Sequence, residues 1–188
     1  MASETGEIQF TEEGISGICV FNLSRYIRIE EKDEDGYKGY TVRIDFFPKL
    51  DEGKLLDQLT RRVESLKNRR RDEFLNGILN KKLALVILNV AGIQLSGQTE
   101  DLTKDLKKLV KILKYWEISI SGTKGWKDAQ VTSGGVKTSE INGETMESKL
   151  ISGLYFAGEV IDVDGKCGGY NLQWAWTSGF IAGKSASE

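Results

Sequence analysis

Residues 153–183 read GLYFAGEVIDVDGKCGGYNLQWAWTSGFIAG. The apolar run at 154–157 predicts a short buried strand that ends in Gly158 and Glu159. An acidic loop with Asp162 and Asp164 follows, and then Gly165, Gly168 and Gly169. A helix comes next, with Leu172, Ala175, Trp176, Gly179, Phe180 and Gly183 at helical spacing on one apolar face. Small residues after a strand let a ligand approach the backbone closely. The helix start offers unpaired N–H groups and the positive end of a dipole, which suits a phosphate or a ring carbonyl. Glu159, at the strand end, can accept hydrogen bonds from sugar-like hydroxyls. A second reading is a plain packing unit whose glycines serve turns only. A glycine-rich loop is too weak a signal to separate the two.

Immediately upstream the pattern is strand-like. Residues 115–121 (YWEISIS) and 129–132 predict strands around a Gly-Trp turn. Residues 51–114 have helical periodicity. Leu55, Leu56, Leu59, Val63 and Leu66 form one stripe. Phe74, Ile78, Leu79, Leu83 and residues 86–90 form a second. Leu102, Leu106, Leu109, Val110 and Leu113 form a third, with Lys104, Lys107, Lys108 and Lys111 opposite. Thr99 with Glu100 and Asp101 predicts an N-cap followed by acids in the first turn. Three short helices fit a small bundle. In the first fifty residues, 7–11 alternate like a strand, the length of the apolar run 15–27 favours a helix, 33–36 predicts a turn, and 40–47 (YTVRIDFF) a strand ended by Pro48.

The charge is uneven. Residues 51–114 carry 14 basic and 9 acidic side chains, whereas 1–50 carry 6 and 10. This points to structurally distinct segments rather than to a nucleic-acid binder, because the net charge is only −2. Histidine is absent, which removes Ser-His-Asp and Cys-His catalysis and imidazole metal sites. Cys19 and Cys167 are too far apart for a CxxC or a zinc ribbon, so a reducing, cytoplasmic compartment is expected. No apolar run is long enough to span a membrane, and the opening MASETGEIQF is not read as a signal peptide.

The stretch 153–183, together with 129–136 (AQVTSGGV) and 145–150 (TMESKL), resembles the C-terminal end of the BaiN-like (YhiN-like) family of NAD(P)/FAD-dependent flavoproteins. Residues 4–11 (ETGEIQFT), 14–17 (GISG) and the middle helices resemble that family's inserted domain. The resemblance implies an α+β chain: a small β-barrel or strand region with a helical bundle, then a C-terminal strand–loop–helix portion of a Rossmann-like FAD domain. It divides the chain into an insert-like domain, 1–125, containing the bundle at 51–114, and a flavin-domain segment, 126–188. By the same resemblance Gly158 and Glu159 face the ribityl and phosphate region of FAD. Gly168, Gly169, Tyr170, Asn171 and Leu172 lie at the isoalloxazine ring, and Asp162, Gly134 and Gly135 belong to the cofactor-contacting set. The last helix then stabilises charge at flavin N1 and C2=O, which favours the anionic reduced flavin.

One feature departs from the family. Its members carry a Gly-x-Gly-x-x-Gly turn for the FAD pyrophosphate, and no such turn occurs in these 188 residues. The chain is therefore expected to be the C-terminal half of a larger enzyme and to bind FAD weakly or not at all alone. Its expected partners are the N-terminal half of the FAD domain or a second copy, with NAD(P)H as hydride source in the complete enzyme. Neither nucleic acid nor membrane is expected. Tyr170 is a candidate proton donor. Cys167 is either a redox cysteine or a small loop residue, Cys19 and Trp176 are expected in the core, and no metal is expected. Lys67, Arg69, Arg70 and Arg71 form a basic cluster. They motivate the alternative function, a non-catalytic interaction module with a basic helical surface.

Overall fold

The computed structural model describes residues 1–27, the backbone of 32–33 and 36–37, and residues 39–188. In chain order the elements are β1 Gln9–Thr11, β2 Gly14–Ser16, α1 Ile18–Ser24, β3 Lys32–Asp33, β4 Gly36–Tyr37, β5 Thr41–Ile44, α2 Glu52–Ser65, α3 Lys81–Val90, α4 Leu106–Tyr115, β6 Trp116–Ser119 and α5 Tyr170–Ser187. Two compact units emerge. One is Gly39–Ile120; the other joins Met1–Lys38 to Ser121–Glu188.

The first unit is the helical one. Asp51 caps α2 by accepting a hydrogen bond from Lys54 N at 2.8 Å, and the i, i+4, i+8 positions Leu55, Leu59 and Val63 are buried. They meet Ala84, Ile87 and Leu88 of α3 and Leu106, Leu109, Val110 and Leu113 of α4 in one core. β5 and β6 pair antiparallel, from Thr41↔Ser119 to Ile44↔Trp116. Lys114 is buried at the end of α4. Its ammonium donates to Asp45 Oδ2 (2.7 Å), Phe47 O (2.9 Å) and Leu50 O (2.6 Å). A buried charge persists only with partners of this kind.

The first and third predicted stripes match the buried faces of α2 and α4. The second is displaced. Residues 74–79 form turns, and α3 begins at Lys81, where Asn80 Oδ1 accepts from Lys82 N. Val86 and Val90 lie on its exposed side. Thr99 is not a cap. Its hydroxyl is buried and donates to Arg69 O at 3.1 Å, while Asp101 Oδ2 accepts from Gln98 N.

In the second unit, β1 and β2 form a hairpin with Phe10 opposite Ile15. The helix predicted within 15–27 is α1, preceded by β2. The turn predicted at 33–36 has its central residues, 34 and 35, outside the described set. Ile141, Met146, Ile161 and Ala182 form a small core, flanked by half-buried Val136, Tyr155, Phe156, Trp174 and Ile181.

Four expectations are corrected. The described strands make three separate antiparallel pairs, and no barrel closes among the described residues, because closure needs every strand to have two neighbours. Residues 129–132 are irregular and exposed, held at Thr132 by a side chain rather than by a strand. Residues 154–157 are only partly buried, and their ladder contact is the single bridge Glu147↔Tyr155. The apolar face of α5 points outward: Leu172 is 69%, Trp176 77% and Phe180 73% exposed, while Ser178 and Ala182 are buried. Trp176 is thus not a core residue. Periodicity groups residues on one face but does not say which face is covered. Cys19 is buried as expected.

Candidate functional site

The start of α5 is built by two glycines. Gly168 (φ +126°) and Gly169 (φ +93°) hold a left-handed backbone that strains any L side chain. This turn lets the helix begin abruptly at Tyr170. No side chain caps it. The first helical bond is Gln173 N to Gly169 O at 3.0 Å. The N–H groups of Tyr170, Asn171 and Leu172 therefore point forward with no acceptor among the described residues. A Cβ built on Gly169 meets nothing within 4 Å, so the space there is open.

The loop before the helix lies along its flank. Gly158 (φ +72°) donates its N–H to Ser178 Oγ at 2.9 Å, and its carbonyl accepts from Trp174 Nε1 at 3.2 Å. Ser178 Oγ in turn donates to Trp174 O at 2.7 Å. Asn171 grips Gly165 with both ends of its amide, at 2.8 Å to the N–H and 3.1 Å to the carbonyl. Residues 134–136 run beside residues 160–162 through the parallel bridge Val136↔Ile161. At Gly135 a Cβ would collide with Val160 O, so a glycine is needed for this approach. Gly134 (φ +96°) faces open space.

The ten expected contact residues thus all lie in one unit, in two groups along α5. Gly134, Gly135, Gly158, Glu159 and Asp162 form one. Gly168, Gly169, Tyr170, Asn171 and Leu172 form the other. Asp162 is exposed; its backbone N donates to Val136 O at 2.9 Å. Glu159 Oε1 accepts from Thr132 N at 2.6 Å, and its Oε2 has no partner among the described residues. Tyr170 is 66% exposed, with its ring at the helix start. Asn171 serves the loop through its side chain and offers a ligand only its backbone.

Sequence reasoning did not single out Asn22, Arg25, Trp174 or Ser178 as builders of this loop. Asn22 Oδ1 accepts from Cys167 N at 2.8 Å, and Arg25 donates to Asp164 O and Gly165 O, both at 3.0 Å. The available signal was a polar residue inside an apolar run, Asn22 within 15–27 and Ser178 within 172–183. Local charges are paired, Arg25 with Asp164 at 3.5 Å and Lys166 with Glu4 at 3.0 Å. The helix dipole is therefore the positive feature left unmatched at the loop.

The basic cluster has a different character. Arg71 donates to Asp101 Oδ2 at 2.7 Å and to Gln94 O at 3.1 Å. Arg70 pairs with Asp72 at 2.6 Å and Lys67 with Glu64 at 2.6 Å. The hydrogen bond that Arg70 donates to Asp72 raises the pKa of Arg70, and the one that Lys67 donates to Glu64 raises that of Lys67. Both cations are thus committed within the unit. Two shallow concavities, of about 290 and 190 Å³, are lined by helical-unit residues only, the larger by Glu52, Leu56, Lys107, Val110 and Lys111. Among the described residues no cluster of three or more His, Cys, Asp or Glu is placed to hold a metal. No described helix is long and apolar enough to cross a membrane.

Comparison with known proteins agrees with this geometry. Residues 18–185 match the family described as the HI0933-like protein Rossmann domain. The chain is 39% identical over 189 residues to a 3-dehydro-bile acid delta(4,6)-reductase of Clostridium scindens, covering all of this chain and 46% of that protein. It is 36% identical to a ribosomal RNA dihydrouridine synthase of Haemophilus influenzae (96% of this chain, 42% of that one) and 35% identical to one of Escherichia coli (94% and 43%). The chain spans less than half the length of these relatives. A glycine-turned helix start in a Rossmann-type segment, matched over nearly the whole chain, places the protein in the HI0933-like family of BaiN-like and YhiN-like flavoproteins.

Proposed function

We propose that this chain is part of an FAD-dependent oxidoreductase. Residues 1–125 supply the insert-like portion, and residues 126–188 the C-terminal strand–loop–helix of the flavin-binding domain. The observation that carries the reading is the start of α5, with three N–H groups lacking an acceptor among the described residues, no side-chain cap and open space beside Gly169. Such a cradle fits the ring-carbonyl edge of a flavin, which accepts hydrogen bonds and gains negative charge on reduction. When bound, FAD supplies two-electron chemistry, with hydride entering from NAD(P)H and leaving to an organic substrate.

The chain's own residues bind and tune. The N–H groups of Tyr170, Asn171 and Leu172, with the dipole behind them, stabilise negative charge at the ring edge. Glu159 Oε2 is free to accept from ribityl hydroxyls. Gly134 carries no side chain that would hold a cofactor off the backbone, and Gly158 lets its turn pack against Ala175 of α5. Asp162 orders the bridge between 136 and 161 through its backbone, and its carboxylate adds an acceptor on the same loop. Tyr170, exposed at the helix start, would offer a phenol as proton donor to the bound group. The compartment is reducing and cytoplasmic, in keeping with the two free thiols.

The outward face of Leu172, Trp176 and Phe180 is where the rest of the nucleotide fold docks, or, without it, a second copy. The alternative, a non-catalytic module with a basic surface, loses support because Lys67, Arg70 and Arg71 are paired internally. The test is a flavin titration of the chain alone, and again with the part of the Clostridium scindens relative that it does not match. Weak or absent binding alone and tight binding in the complex support the proposal. A complex that takes up no flavin opposes it.

A further inference from the structure

The loop that leads into α5 is held from the opposite end of the chain. Asn22 and Arg25, at the end of α1, reach residues 164–167, about 140 positions later. Asn22 is only 6% exposed and sits among the apolar residues of α1, where asparagine gains nothing from helix propensity. A buried amide needs a partner, and Asn22 Oδ1 has one in Cys167 N at 2.8 Å. The two terminal nitrogens of Arg25 take adjacent carbonyls, Asp164 O and Gly165 O, while its charge meets Asp164 Oδ1 at 3.5 Å. From the other side Asn171 grips the N–H and carbonyl of Gly165. Residues 164–167 are thus fixed between α1 and α5, and only Gly168 and Gly169 lie between the fixed loop and the helix start.

We propose that Asn22 and Arg25 are positioning residues for the flavin-facing start of α5, a role that rests on the flavin reading above. Glycines impose little conformational preference of their own, so the orientation of the turn at 168–169 is set by whatever holds its two ends. α5 holds one end, and the α1 latch holds the other. Electrostatic stabilisation of a developing charge requires donors that are already in place, and displacements near an ångström are costly. The latch therefore acts on the ring through the backbone, without touching it.

The test has two arms. In the flavin-free chain, Asn22→Ala is expected to speed amide exchange at Cys167 about tenfold, the worth of one hydrogen bond. Asn22→Asp keeps an acceptor oxygen and restores protection. Arg25→Lys keeps the charge but loses the two-pronged grip, and loosens 164–167 as well. Amides in the middle of α5, in the same unit, serve as the internal control for unfolding of that unit as a whole. Unchanged exchange at Cys167 in Asn22→Ala and across 164–167 in Arg25→Lys overturns the latch.

The second arm uses the flavin-loaded complex described above. There Asn22→Ala is expected to weaken binding of reduced relative to oxidised flavin about tenfold, lowering the midpoint potential by roughly 30 mV. Faster exchange with an unchanged potential overturns the positioning role. A complex that binds no flavin overturns the flavin reading and the positioning role with it, whereas the exchange arm decides the latch without any flavin.

Discussion

At Ser178 one hydroxyl ties the turn at Gly158 to α5. It accepts from Gly158 N and donates to Trp174 O, and it is fully buried. Ser178→Ala leaves the Gly158 N–H without its partner, at a cost of about 1–3 kcal/mol. Thermal unfolding should show a lower Tm, and an unchanged Tm would refute the role. Gly135 is a second single-atom constraint. Gly135→Ala combines φ +150° with a collision against Val160 O, so a loss of roughly 1–3 kcal/mol is expected in the same measurement. These residues explain what the sequence could and could not disclose. Glycines at 134–135 and 168–169 were visible as a cluster, and their residue type permits the positive φ found there. The partners of Gly158 and Cys167 were not visible, because Ser178 and Asn22 meet them only through tertiary packing, 20 and 145 positions away.

At the scale of elements, α2 and α4 were legible because a continuous core covers their apolar stripes, so periodicity and burial coincide. In α5 they do not. Its stripe of Leu172, Trp176 and Phe180 is exposed, and its buried side carries Ser178 and Ala182. Trp176→Glu is accordingly expected to change stability by less than about 0.5 kcal/mol and to reduce self-association on sizing. Ala182→Glu, on the buried side, should unfold the glycine-rich unit. The reverse ranking would show that the two faces are exchanged. At the start of α2, the Asp51 carboxyl is held below its ordinary value of 3.8, first by the hydrogen bond from Lys54 N and then by the Lys54 side chain. A depressed folded pKa stabilises the fold above the unfolded value, and the stabilisation is lost as pH falls through the folded one. Circular dichroism of the wild type should therefore lose helicity from about pH 4 downward more steeply than Asp51→Asn, whose amide caps without titrating. Identical acid profiles would contradict the cap.

At the scale of the whole molecule, the two units bury their apolar residues unequally. In the helical unit Phe74, Leu75, Ile87, Leu88 and Leu109 are completely buried. Among the described residues of the glycine-rich unit the core cluster is Ile141, Met146, Ile161 and Ala182, with Cys19 buried besides, while Trp126, Leu150, Tyr170, Leu172, Trp176 and Phe180 are exposed. Exposed apolar residues of this kind are what the proposed docking requires. Leu172, Trp176 and Phe180 lie on the helix whose start is proposed to meet the flavin, and the proposal makes docking on that face and assembly of the cofactor site one event. The measurement that tests this most directly is the visible absorbance of FAD titrated with the chain, alone and together with the unmatched part of the Clostridium scindens relative. The account predicts an unshifted flavin band with the chain alone and a shifted, stoichiometric one with both. A chain that binds stoichiometric FAD by itself, or a pair that binds none, would contradict it.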